Sequence, residues 1–219
     1  MRRVLMAAAA AIAIGIATAP TQAATVVYDT TNYGTGTPIV ISFTGVQDPN
    51  SGGTLTLTLT GTSGNDYNFT YSLLNTSSSP NTNISGFGFD VTGANLDLST
   101  TTATGTYSTV SSGSISGGYF VDVCLTAGDT CSGGSSGGPA PGDMASGTLA
   151  LEFTSLPDSF TLLQPVIRMQ NTANADGSDI GLPPGAIPEP GTWGMMLLGY
   201  GAIGLMIRRR RKQGLLQIA

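Results

Sequence analysis

The 219-residue chain has no histidine, two cysteines, one tryptophan and, away from its ends, almost no positive charge. Each shortage removes a class of function. Without histidine the chain cannot build a Ser–His–Asp or Cys–His catalytic unit from its own residues. With only two cysteines it also lacks the donors of a structural zinc site. Of eight cations only Arg168 lies between Ala24 and Pro190, whereas all thirteen carboxylates lie there. A body with that balance has no basic stripe to displace counterions from a phosphate backbone, so nucleic acid is excluded as a partner. The body also lacks any apolar run with a helical period.

What is present is alternation. Thr54-Leu55-Thr56-Leu57-Thr58-Leu59-Thr60 and Tyr67-Asn68-Phe69-Thr70-Tyr71-Ser72-Leu73 both read with period two, and Gly61–Asp66 between them is turn material, so they are predicted to form a hairpin. Further strands are expected at Thr25–Tyr28, Pro38–Thr44, Ile84–Val91, Gly118–Leu125, Thr148–Thr154 and Ser159–Met169, with Gly86 and Gly88 marking a bulge or a close approach. Leu96–Val110 is rich in threonine and weakly patterned, Ser132–Gly142 is a Gly/Ser/Pro loop, and residues 170–186 read as a linker. Short strands at this spacing predict an all-β chain, with a single jelly-roll-like β-sandwich domain of roughly eight strands over residues 24–169.

Both ends carry targeting signals. Residues 1–23 have the order of a secretory signal peptide: Arg2 and Arg3, an apolar run from Val4 to Ala17, then small residues leading to cleavage after Ala23 by signal peptidase. At the other end, Pro188-Glu189-Pro190 is followed by an uncharged run from Trp193 to Ile207 and then by Arg208, Arg209, Arg210, Arg211 and Lys212. As a helix the run covers about 22 Å, short of a hydrocarbon core about 30 Å thick, a gap that thinning and snorkelling can absorb. The basic block is expected to stay cytoplasmic as a stop-transfer signal, with residues 213–219 as a cytoplasmic tail. Trp193 sits where an indole prefers the interface. The body is thus expected to be followed by a short C-terminal transmembrane helix, either a permanent anchor or a tail removed after transfer.

Residues 187–212 resemble the PEP-CTERM sorting signal of bacterial exported proteins: Pro188, Glu189 and Pro190 match its motif, Trp193 and the Gly-rich apolar run its continuation, and Arg208–Arg211 its basic end. The resemblance implies processing by exosortase, a membrane-embedded cysteine transpeptidase, after transient membrane anchoring, and release to the cell surface or medium. In the body, Ser85–Asp90, Phe120–Cys124, Ser146-Gly147-Thr148 and Val166–Gln170 resemble the cistern family of PEP-CTERM proteins. That family brings no activity with it, but it implies an envelope or biofilm role beside extracellular polysaccharide.

The remaining constellations are weighed against plainer readings. Cys124 and Cys131, close together in an exported chain, are expected to form a disulfide. Asp90 with Asp122, or Asp122 with Glu152, could pair as glycosidase carboxylates, but acids on exposed strand faces are the ordinary case, and no enzyme is expected. Tyr119, Phe120, Tyr67 and Tyr71 are candidate stacking platforms of a carbohydrate-binding module, the alternative to a non-catalytic structural or adhesive protein. No cofactor is expected; a loop calcium ion on Asp176–Asp179, on Asp48 with Asn50 or on Asp66 with Asn65 is the alternative to solvated turns. The threonines of 54–60 invite an ice-binding reading, but that needs several strands in register, and no internal repeat provides them.

Overall fold

The computed structural model describes residues 26–29, 33–115, 118–128, 130–132, 137–173 and 177–184. The signal peptide with Ala23, the sorting motif, the apolar run 193–207 and the basic block all lie outside the described residues. Among the described residues no helix is long and apolar enough to cross a membrane.

The described residues form eleven strands: β1 (Val26–Asp29), β2 (Pro38–Gly45), β3 (Gly52–Ser63), β4 (Asp66–Asn75), β5 (Asn83–Thr92), β6 (Thr102–Ala103), β7 (Thr109–Ile115), β8 (Tyr119–Thr126), β9 (Met144–Glu152), β10 (Ser159–Gln170) and β11 (Ser178–Leu182). Every pairing is antiparallel, and the strands follow one path, β6-β9-β4-β3-β2-β11-β10-β5-β8-β7, with β1 added to β10. The expected all-β body is present, including the β3–β4 hairpin. Its architecture is one barrel-like sheet rolled on itself. The two halves of the path face each other across the core: Tyr71 of β4 meets Phe87 of β5 edge-on at 5.4 Å, and Tyr67 meets Phe160 of β10 at 5.1 Å.

Three strands depart from the sequence reading. The weakly patterned stretch contains β6 and the start of β7, and the expected linker contributes β11, which bonds to β10 on one side and β2 on the other. Nothing alternates in Ser178–Leu182 because Asp179, Ile180 and Gly181 are all buried, and burial on both faces erases the period that marks a half-exposed strand.

Alternation places the core. Ile39, Ile41 and Phe43 of β2, Leu55, Leu57 and Leu59 of β3, and Tyr67, Phe69, Tyr71 and Leu73 of β4 point inward and are buried. Between β6 and β7 the chain passes from one end of the sheet path to the other. Tyr107 plugs that corner, packing edge-on against Phe87 at 5.5 Å and donating its hydroxyl to the Ile84 carbonyl at 2.7 Å. Its own N–H is satisfied by the Tyr71 hydroxyl at 2.9 Å, so the buried corner leaves that polar group paired. Gly86 and Gly88 are close-approach positions: a Cβ on Gly88 would lie 2.8 Å from the Val123 carbonyl oxygen and 2.8 Å from a Val121 methyl. The expected bulge is there too, since the β5–β10 register slips between Arg168 and Met169, leaving Ser85 unopposed.

Cys124 and Cys131 are joined, with Cα atoms 6.1 Å apart. The disulfide belongs to a second, smaller cluster with Ile115, Val121, Val166 and Ile180.

Candidate functional site

The ladder is least regular where β5, β7, β8 and β10 run side by side. Between β7 and β8 the register slips past Ser111, so that Asp122 and Val123 of β8 face the single residue Ser112 and the extra residue lies on β8. In β10 the register slips between Leu163 and Val166, where Pro165 has no N–H to offer and Gln164 adopts a left-handed φ of 48°. A non-glycine residue in that region is held there at a cost by its surroundings. The two bulges flank a groove of about 820 Å³, lined by Asp90, Thr92, Ser112, Tyr119, Phe120, Asp122 and Gln164 among others.

Two carboxylates stand on its floor. The Asp122 N–H donates to Asp90 Oδ1 at 3.1 Å, and the Val91 N–H donates to Asp122 Oδ2 at 3.0 Å. Each acid therefore gives one oxygen to the neighbouring strand's backbone. Burial pushes the Asp90 carboxyl above its ordinary value against the pull of the Asp122 N–H, and the Asp122 charge adds to the rise. Two residues before Asp122, and so on the same face of β8, Phe120 leaves 73% of its surface in solvent. Tyr119, one residue earlier and so on the opposite face of β8, is half-buried against the disulfide cluster. The arrangement offers paired acceptors for hydroxyl groups next to an exposed ring, the combination that grips a polar ligand with an apolar face.

The sequence candidates divide cleanly. Asp90 and Asp122 are brought together, with Phe120 on the same face, whereas Tyr119 packs against the disulfide cluster. Tyr67 and Tyr71 are no platforms: each is 2% exposed, with its hydroxyl bonded to a backbone carbonyl, Pro157 for Tyr67 and Thr104 for Tyr71. Both share their strand parity with Phe69 and Leu73, a signal already present in the alternation. Glu152 does not join Asp122; it stands opposite Asp66 on β4 and β9. A hydrogen bond with Asp66, helped by desolvation and by the charges of Asp66 and Asp97, raises the Glu152 carboxyl. Ser112 and Gln164 join the lining without a sequence motif of their own, apart from the proline after Gln164, which inside a strand is a bulge signal.

The loop acids serve the backbone. Asp48 accepts from the Asn50 N–H through Oδ1 and from the Ser51 hydroxyl and the Ala173 N–H through Oδ2. Burial opposes its charge, but these donors outweigh burial and hold the carboxyl below its ordinary value. Asp179 accepts from Gln47, Asp48 and Ile180. Three donors on each carboxylate make these acids ties between loop backbones. Asp176 lies outside the described residues. Asn65 donates to the Thr154 carbonyl at 3.4 Å, so its neighbourhood with Asp66 is a strand-end contact.

A family model for the PEP-CTERM protein-sorting motif matches residues 186–211. No curated protein and no solved structure matches the chain. The motif supports exosortase-dependent sorting of an exported protein, with membrane association of the tail before placement at the surface or outside the cell. The match does not reach the body, whose likeness to the cistern family rests on the residues quoted for it.

Proposed function

We propose that the chain is a non-catalytic adhesive protein of the cell surface or extracellular matrix, and that its groove holds a segment of extracellular polysaccharide. The carrying observation is Phe120, an exposed ring on the same strand face as Asp122 and at the mouth of a groove with two carboxylates. A pyranose stacks its C–H face on such a ring and donates its hydroxyls to the carboxylate oxygens. Each acid already gives one oxygen to a backbone N–H of the neighbouring strand, and the two are read as ligand acceptors in a protein without hydrolytic turnover. Delivery follows the tail: signal peptidase frees the amino end, exosortase acts at Pro188-Glu189-Pro190, and the cell-surface form ends near that motif.

Two measurements on protein recovered from the producing cells test this reading. On a glycan array, binding of polysaccharide fragments should be lost in Phe120→Ala and Asp122→Asn and kept in wild type; an array with no bound glycan removes the saccharide. The intact mass should lack everything from Trp193 onward. A mass that includes Trp193–Ala219 replaces the processed tail with a permanent anchor.

A further inference from the structure

The outward face of the other half of the sheet is built quite differently. Inward-pointing Leu55, Leu57 and Leu59 leave Thr54, Thr56 and Thr58 facing out, and the register continues that face across neighbouring strands. Ser42, Thr54, Leu74 and Met144 form one row, and Val40, Thr56, Ser72 and Ser146 the next. Pro38, Thr58, Thr70 and Thr148 form the third. Beyond β6 the chain extends this row, the Thr104 hydroxyl meeting that of Thr148 at 2.7 Å and the Thr104 N–H bonding the Thr148 carbonyl. Thr102 and Thr106, exposed beside it, prolong the column. The repeated threonine strands that the sequence lacks as an internal repeat are thus supplied by strand pairing.

Three properties of this face narrow its occupant. None of its rows carries a charged side chain, although the body holds thirteen carboxylates, so ionic surfaces and headgroups have nothing to grip. It presents no aromatic ring, because Tyr67, Phe69 and Tyr71 all point inward, so a sugar finds no platform. Eight of the twelve row positions carry a hydroxyl, on a backbone spacing of about 4.8 Å between strands and about 6.8 Å between alternate residues, while Pro38 and the exposed Val40, Leu74 and Met144 fill the rest with apolar groups. Threonine is stiff at χ1, so methyl and hydroxyl are held in place before anything binds. Twist of about 20° per strand confines a planar match to a patch of a few strands.

We propose that this face binds the ordered water lattice of an ice surface. A rigid, neutral grid of hydroxyls and methyls presents sites to the oxygen positions of a crystalline water layer, whose spacing is of the same order, and the methyls rest between them. Binding at many weak contacts in register needs no deep pocket, and the site is independent of the groove.

The test uses protein recovered from the producing cells, added to a single ice crystal in a nanolitre osmometer and to annealed polycrystalline ice. Wild type should facet the crystal and keep the grains small. The doubly substituted Thr56→Lys, Thr70→Lys protein should lose both effects while keeping its disulfide and far-ultraviolet spectrum; if that variant does not fold, Thr56→Tyr alone takes its place. Phe120→Ser, in the groove, should retain both. Crystals that stay round with wild type, or faceting that survives the face substitutions, overturn the proposal. So does a wild-type dimer in sedimentation that Leu74→Lys dissociates, without faceting, because the face then belongs to a second copy. Saccharide binding, read through Phe120, stands or falls separately.

Discussion

The two halves of the sheet solve burial in opposite ways. In β2, β3, β4 and β9 buried and exposed residues alternate almost strictly, so one face is core and the other meets solvent. In β5, β8 and β10 buried runs replace alternation, because the disulfide cluster of Ile115, Val121, Cys124, Cys131, Val166 and Ile180 adds a second apolar layer beside the main core. The first half carries a hydroxyl face whose three rows pair without a slip, its β3–β4 bulge lying beyond them at Thr60; the second is bulged where its groove and paired acids lie. Regular pairing produces a lattice, whereas bulges re-aim side chains into a concavity. One sheet thereby hosts two kinds of surface.

The largest contrast in stability lies between the shared core and the hydroxyl face. Phe87 is fully buried and touches Tyr71 and Tyr107 across the interior. Phe87→Ala should cost about 3–5 kcal/mol, against less than about 0.5 kcal/mol for Thr56→Ala on the hydroxyl face. Denaturant midpoints at unchanged slope measure both, and equal losses would mean that the outer face also packs.

Opening the disulfide should separate the halves. Replacing Cys124 and Cys131 with serine is expected to cost about 2–3 kcal/mol. Hydrogen exchange should show the lost protection in β7 and β8 and leave β3 and β4 protected. Uniform loss would show that the halves do not open separately.

A smaller effect sits at the groove's bulge. Gln164→Gly removes a side chain from a left-handed φ and should raise stability by roughly 0.5–1 kcal/mol while weakening ligand binding. A fall in stability would show that Gln164 contributes more through its contacts than its backbone costs.

The smallest effect is on pH dependence, with opposite signs in the two regions. Asp90 has its folded pKa raised, so its contribution is present below the ordinary carboxylate value of 3.8 and is lost as pH rises through the folded value. Asp48 has its folded pKa lowered, so its contribution is present above 3.8 and is lost as pH falls through the folded value. Melting profiles should flatten on the rising side in Asp90→Asn and on the acid side in Asp48→Asn. The same change in both variants would remove the asymmetry.

How much of this was legible follows the same division. Thr54–Thr60 and Tyr67–Leu73 announce themselves because one face is wet and the other dry, which is what period two records. β11 was hidden because burial on both faces leaves no period, and β7 because Thr109–Ile115 carries only two large apolar side chains. Asp90, Asp122 and Phe120 were recognisable as residue types. Their meeting was not, since it depends on the register of β5 against β8, a pairing of strands about thirty residues apart that local pattern does not encode. The hydroxyl rows were lost to the same ignorance of register.

β11 has a consequence in time as well as in space. It is the link through which the sheet path runs from β2 to β10, and it ends at Leu182, six residues before Pro188. In a chain exported amino end first, every other strand is outside before this one. The two halves therefore wait, each with an open edge, for the segment that enters last. Trp193 follows Leu182 by eleven chain steps, at most about 39 Å of extended chain, so on the sorting reading proposed above the sheet joins up within that distance of the membrane. Export, completion of the fold and exposure of the processing site become one sequence of events. Deleting Ser178–Leu182 should leave a surface-delivered product sensitive to protease, and a resistant product would show that the halves join without it.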